Sequence, residues 1–282
     1  MKLGPSPNVR YLVLFLLLLQ WPDGASAQSP TQPAPQQPST RAAAPVDLTG
    51  MWVSVVTEDW RYRMVTPPRG DYAGVPLNDV GRKAADLWDE AKDKATGNAC
   101  RMFGAAGVMR MPGRVRISWQ DDATLKVEVD AGGQTRLLRF GGGSALRQSE
   151  PSWQGMSRAQ WQLPIRGRAQ GSVGGAIPSD GPIPPPENRG GRGAAPPPSG
   201  GTLKVVTTQM KPGYVRRNGV PYSANAVLTE YFDRTVEPNG DQYLTVTAIV
   251  EDPAYLIQPF ITSTHFKKEP DGSKWHPTPC GT

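Results

Sequence analysis

The chain has 282 residues, a formal net charge of +6, and only two cysteines and two histidines among 31 glycines and 30 prolines. Discounting the charged groups of the first 27 residues (Lys2, Arg10 and Asp23) leaves about +5, too small an excess to mark a nucleic-acid surface. With no CxxC, HxxxH or HExxH, the thiolate and histidine metal centres are excluded, and no metal or cofactor is expected.

Residues 1–27 read as an export signal. Lys2 and Arg10 supply a positive start, 11–19 is an unbroken apolar run, and Ala25-Ser26-Ala27 offers a small-residue cleavage site. The apolar run is about ten residues, half the roughly twenty that span a bilayer, so no stable membrane insertion is expected. The expected location is periplasmic or secreted, in a bacterial host. Residues 28–46, rich in Pro, Gln and Ala, cannot bury enough apolar surface to order themselves and read as a disordered linker. A second Gly/Pro-rich tract, 166–200, lies between strand-like segments and reads as a disordered insertion in a loop. Because closure entropy grows only logarithmically with length, one folded body at 47–282 tolerates it.

The body opens on Gly50-Met51-Trp52 in a first strand. Trp60-Arg61-Tyr62-Arg63 interleaves aromatics with cations; as a second strand it puts Trp60, Tyr62 and Met64 on one face and a solvated basic edge on the other. A single helix is expected from Asn78, a suitable N-cap, to Gly97, with Val80, Ala84, Leu87, Trp88 and Ala91 as its apolar face. Cys100 follows that helix and Cys280 lies near the C-terminus. In an exported chain two cysteines read as one disulfide, which would pin the tail beside the helix end. A nucleophilic Cys100 is the alternative.

Strands are expected at 114–120, 124–130 and 134–140, with Val115, Ile117 and Trp119 sharing a face, as do Leu125, Val127 and Val129. Trp161 sits on a further strand whose natural partner is 201–210, across the insertion. Residues 226–234 and 241–250 form a hairpin around Asn239-Gly240, which suits a two-residue type I′ turn. That turn sets Glu230 opposite Ile249, Phe232 opposite Thr247 and Leu228 opposite Glu251. One face then mixes apolar and ionisable groups, so both faces would be covered or would meet a cavity.

About ten strands, one helix and no βαβ alternation make the chain all-β: a single antiparallel barrel, whose closure removes exposed edges. Gly50-Met51-Trp52 after a flexible leader resembles the start of lipocalin-like (calycin-type) barrels, in which that Trp closes one end. The chain also resembles an uncharacterised family of secreted bacterial hypothetical proteins. The matching residues are Trp153-Gln154-Gly155, Ser157, Trp161, the run 201–207 (GTLKVVT), 217–223 (RNGVPYS), 230–234 (EYFDR), Glu251-Asp252-Pro253, Tyr255 and Pro259. The resemblance implies export and a fold, and no activity.

Three functions follow from this reading. The first is a protein that binds a small apolar or amphipathic ligand in the barrel, against Trp52, Tyr231, Phe232 and Trp161. The second is an enzyme using Glu230 and Glu251, which the type I′ register makes diagonal neighbours about 7 Å apart, close enough to raise one carboxyl pKa and provide an acid and a base. In the alternative, Glu230 pairs with a strand arginine such as Arg234 or Arg139. The third is an envelope interaction or scaffold protein without a pocket. No GxSxG is present, and Gly141-Gly142-Gly143 lacks the lysine and helix of a phosphate loop.

Overall fold

The structure, a computed structural model, describes residues 38–141, 150–163 and 200–280. The expected export signal, the first part of the linker and nearly all of the insertion lie outside the described residues. Pro38–Val46 lies along the folded body: the Arg41 amide donates to the Asp122 carbonyl at 3.0 Å, and Val46 packs on the core.

Nine strands close into a barrel: β1 (Gly50–Val55), β2 (Arg114–Asp121), β3 (Thr124–Val129), β4 (Gln134–Phe140), β5 (Met156–Gln162), β6 (Thr202–Thr208), β7 (Val227–Val236), β8 (Gln242–Glu251) and β9 (Phe260–Glu269). Sequence neighbours pair all the way round, and β1 closes the ring against both β2 and β9. Trp161 pairs with Leu203 across the insertion, as expected. One departure is that β4 and β5 run parallel, so the barrel is mostly, not wholly, antiparallel.

Alternation along the strands sorts the side chains. Val115 and Ile117 of β2, Leu125, Val127 and Val129 of β3, and Leu203 and Val205 of β6 fill the interior with Trp52, Phe232 and Phe266. Trp52 is fully buried; its Nε1 donates to the Leu48 carbonyl at 3.0 Å and the Lys268 ammonium lies over its ring. Trp119, Phe140 and Trp161, at the C-terminal ends of β2, β4 and β5, stack in a row with centroids 5.6 and 5.8 Å apart. A second apolar cluster joins Leu228, Ala248, Val250 and Phe260 to the short segments α2 (Asp79–Asp86), α4 (Ala105–Val108) and the hairpin of Gly213–Arg216 with Val220–Tyr222.

The β7–β8 hairpin corrects the expected register. Glu230 faces Ala248, Phe232 faces Val246 and Leu228 faces Val250, one residue away from the type I′ alignment. The loop has three residues: the Gly240 amide donates to the Glu237 carbonyl at 2.9 Å and the Glu237 amide to the Asp241 carbonyl at 2.8 Å. Pro238 explains the difference. Its fixed φ suits the second position of a type I turn, and Gly240, at φ 85°, takes the left-handed residue that follows. A one-residue slip moves every side chain to the other face. Leu228, Glu230 and Phe232 thus share the inner face with Val246, Ala248 and Val250, while Tyr231, Thr247, Ile249 and Glu251 face outward.

Two expectations for the segment between β1 and β2 are also corrected. Residues 60–64 form α1 (Trp60–Met64), not a strand: Asp59 turns the chain at φ 51°, Trp60 is exposed and Arg63 is buried. The expected 78–97 helix is two, α2 and α3 (Glu90–Ala95). Asn78 caps the first, accepting from the Gly81 amide at 2.8 Å, but Asp89 caps a second, accepting from the Lys92 amide at 3.1 Å in an extended conformation that breaks the first. Gly81 and Ala85 form the buried stripe, because only a glycine lets the chain approach the Tyr255 carbonyl, while Val80 and Leu87 are exposed.

The loop geometry predicts unequal costs. Gly240→Ala should lower unfolding free energy by about 1 kcal/mol in urea, because alanine is strained at positive φ. Asn239→Ala should cost less than half of that. A type I′ turn, with positive φ at both residues, would show equal losses.

Candidate functional site

Glu230 and Glu251 are not brought together. Glu251 ends β8 on the exposed outer face, and Glu230 lies inside the barrel, 1 % exposed. The Glu230 partner is neither Arg234 nor Arg139 but Arg136 of β4, itself 1 % exposed. Arg136 Nη1 donates to Glu230 Oε1 at 2.9 Å and its Nη2 to Oε2, making a two-pronged ion pair. Arg136 Nη2 also reaches Thr207 Oγ1 at 3.3 Å, which shares a 2.8 Å hydrogen bond with Ser157 Oγ. With a guanidinium held against it, Glu230 has no second carboxylate to work with as an acid–base pair.

The expected ligand-lining aromatics are accounted for by packing. Trp52 and Phe232 are 0 % and 1 % exposed inside the apolar cluster, Trp161 stacks on Phe140, and Tyr231 lies outside under the Lys204 ammonium. Three cavities among the described residues are lined by none of the four. Motif residues at 217–223 and 251–253 hold loops together: the Asn218 side chain donates to the Pro68 and Asp71 carbonyls, and Asp252 accepts from the Ser223 amide and hydroxyl.

A cavity of about 370 Å³ lies outside the barrel lumen. Its walls come from α3 (Glu90, Asp93, Lys94), from the 3₁₀ turn Ala99–Phe103 (Ala99, Met102, Phe103), from Pro112 and Gly113, from Asp130–Gly132, and from the C-terminal tail (His276, Thr278, Pro279, Cys280). The tail is held in three ways. Thr278 and Pro279 pair in parallel with Ala131 and Gly132, the Thr278 amide donates to the Asp130 carbonyl at 2.9 Å, and Cys280 lies at disulfide distance from Cys100, with Cα atoms 5.0 Å apart. The expected pinning of the tail beside the helical segment is what forms this wall.

The cavity combines an apolar floor with an acidic rim. Met102, Phe103, Pro112 and Ala131 are apolar. Asp93 accepts from the Tyr214 hydroxyl at 2.7 Å, and Glu90 pairs with Lys94 at 3.0 Å one helical turn away. Asp130 Oδ1 accepts from the Arg114 and Ala131 amides, both at 2.7 Å. Burial raises the Asp130 carboxyl above the usual aspartate range, those amide bonds opposing it. Burial and the Asp93 carboxylate likewise push the Tyr214 phenol well up, so it stays a neutral donor. Among the described residues no three His, Cys, Asp or Glu side chains are placed to hold one metal ion.

Sequence reasoning found Cys280 but missed Asp93, Phe103, Asp130 and His276, which reach the cavity from four separate segments. The disulfide was the one signal that pointed there. Among protein-family models, curated proteins and solved structures, none matches the chain.

The tail's tethers make a second expectation. The cross-link closes 180 residues of chain, and the entropy model gives an upper bound of about 5 kcal/mol for so long a loop. The Cys100→Ser, Cys280→Ser variant should unfold at a lower urea midpoint, and the amides at positions 278 and 280 should lose more exchange protection than those of β7 and β8. Equal loosening of the barrel strands would contradict a local role for the tail.

Proposed function

We propose that the chain is an exported binding protein for a small amphipathic molecule, with the closed barrel as scaffold and the guest outside its lumen. The observation that carries this is the cavity of about 370 Å³, within the usual range for small-molecule sites, with an apolar floor and a few convergent polar groups. Glu90 is paired with Lys94 and Asp93 with Arg101 at 3.5 Å, which leaves Asp130 as the wall carboxylate without an ion-pair partner among the described residues and favours a guest with an apolar body and an amine or other hydrogen-bond donor at one end. The expected binding function is kept and its seat is moved.

Export is supported by the leader-like residues 1–27 and by the cysteine pair, which persists in an oxidising compartment. Among the described residues no helix is long and apolar enough to cross a membrane. Membership of the uncharacterised secreted family rests on the quoted motifs and belongs to the same proposal.

The test is native mass spectrometry of the protein purified from its own host, beside Ala99→Trp, which puts an indole into the cavity. The expected result is a bound small molecule on the parent, lost in the variant, whose melting temperature stays within a few degrees. A parent with no adduct after gentle purification, or a variant that keeps the adduct, would contradict the reading.

A further inference from the structure

A second site, sharing no residue with that cavity, lies where α1, the segment just after α4, and the strand Gly213–Arg216 meet. Arg63, Arg110 and Arg216 are 2 %, 7 % and 5 % exposed and line one pocket, with Arg217 and Tyr62 half-buried at its edge. Part of each guanidinium is engaged. Arg63 pairs with Glu58 and donates from Nε to the Arg110 carbonyl at 3.0 Å; Arg110 Nη2 reaches Asp59 at 2.9 Å; Arg216 Nη1 reaches the Ala73 carbonyl at 2.9 Å. The rest is not. Arg63 Nη2, Arg110 Nη1 and Arg216 Nε are buried donors without an acceptor among the described residues.

The charges do not balance either. Four guanidiniums (Arg217 included) face two carboxylates, Glu58 and Asp59, and Glu58 is shared with His265 at 3.0 Å. Burial and the neighbouring Arg110 push the Arg63 and Arg216 guanidiniums below their usual range, against the pull of Glu58 on the former. Asp71, which also favours the Arg216 charge, is already paired with Arg61 at 2.9 Å. A buried, uncompensated cation and an unmade buried hydrogen bond are both costly, and here they coincide at one spot. The pocket's volume of about 10 Å³ admits one oxygen-sized group.

We propose that Arg63, Arg110 and Arg216 form a binding site for one small oxyanion, a phosphate or carboxylate group that seats one oxygen among the free guanidinium donors. The remainder of the anion rests at the mouth beside Arg217, while the Tyr62 ring holds the Arg216 guanidinium at 4.1 Å. Guanidinium forks match both anions, and the arrangement supplies the missing acceptor and the missing negative charge together.

The test is calorimetric titration of the full-length disulfide-bonded protein with inorganic phosphate, and separately with acetate, at ionic strength held constant with sodium chloride. One saturable site is expected. Tighter binding of phosphate identifies a phosphate site, and tighter binding of acetate a carboxylate site. Arg216→Gln should weaken the preferred anion tenfold or more, whereas Lys204→Gln, on the outer face of β6, should leave it unchanged. Arg217→Gln, at the half-buried edge, should weaken it several-fold and serves where Arg216→Gln fails to fold. Absence of saturable binding of either anion to the parent would mean that water alone fills the pocket and would overturn the proposal. So would equal weakening by the arginine and Lys204 substitutions.

Discussion

The ion pair between Arg136 and Glu230 is the constraint on which the rest of this molecule depends. Each partner is 1 % exposed, so each gave up hydration worth several kcal/mol, and only a fully made pair offsets that cost. The pair joins β4 to β7, which are not neighbours in the sheet, β5 and β6 lying between them. It also sits at a seam. On β7, Leu228 belongs to the apolar cluster under the helices, Phe232 to the cluster inside the barrel, and Glu230 lies between. Thr207 of β6, which pairs with Leu228, is reached by Arg136, and its bond to Ser157 extends the polar layer to β5.

That layer shapes where function is sought. A barrel with Trp52, Phe232 and Phe266 on one side of a buried ion pair, and the Leu228 cluster on the other, uses its lumen for its own side chains. Well-packed interiors leave few voids larger than a water molecule. Space for a guest arises instead where short segments meet imperfectly, between α3, the 3₁₀ turn and the tethered tail. Such places tolerate polar groups with spare hydrogen-bonding capacity, whereas the barrel interior holds them as paired groups, and this is where Asp93, Asp130 and His276 line the cavity and buried arginines with spare donors collect near α1.

Much of the barrel was legible in the sequence because its strands alternate. The turn signals and the paired apolar positions of β2, β3, β6, β7 and β8 place them correctly, and the partnership of Trp161 with the strand beyond the insertion follows from order alone. Register was harder. Asn239-Gly240 is a strong hairpin signal, but Pro238 before it favours the longer loop, and that single residue decides whether Glu230 faces the lumen with Val246 or the solvent with Glu251. The Arg136 partnership could not be read, because closure of the barrel, not local pattern, brings β4 opposite β7. The helical segment was misread where a polar residue had two uses: Asp89, inside the expected 78–97 helix, is the cap of a second one, and Arg63, expected on a solvated edge, is buried. In the cavity only the cysteine pairing was legible, since the other walls come from segments with no common spacing.

The role of the buried pair is tested most directly by a double-mutant cycle, with Arg136→Met, Glu230→Leu and the double variant compared by urea unfolding. Each single substitution strands one buried charge and should cost about 3–5 kcal/mol, whereas the double variant, with two apolar groups of similar volume, should recover most of that loss. Losses that simply add, or a single variant as stable as the parent, would contradict the claim that this pair organises the barrel interior.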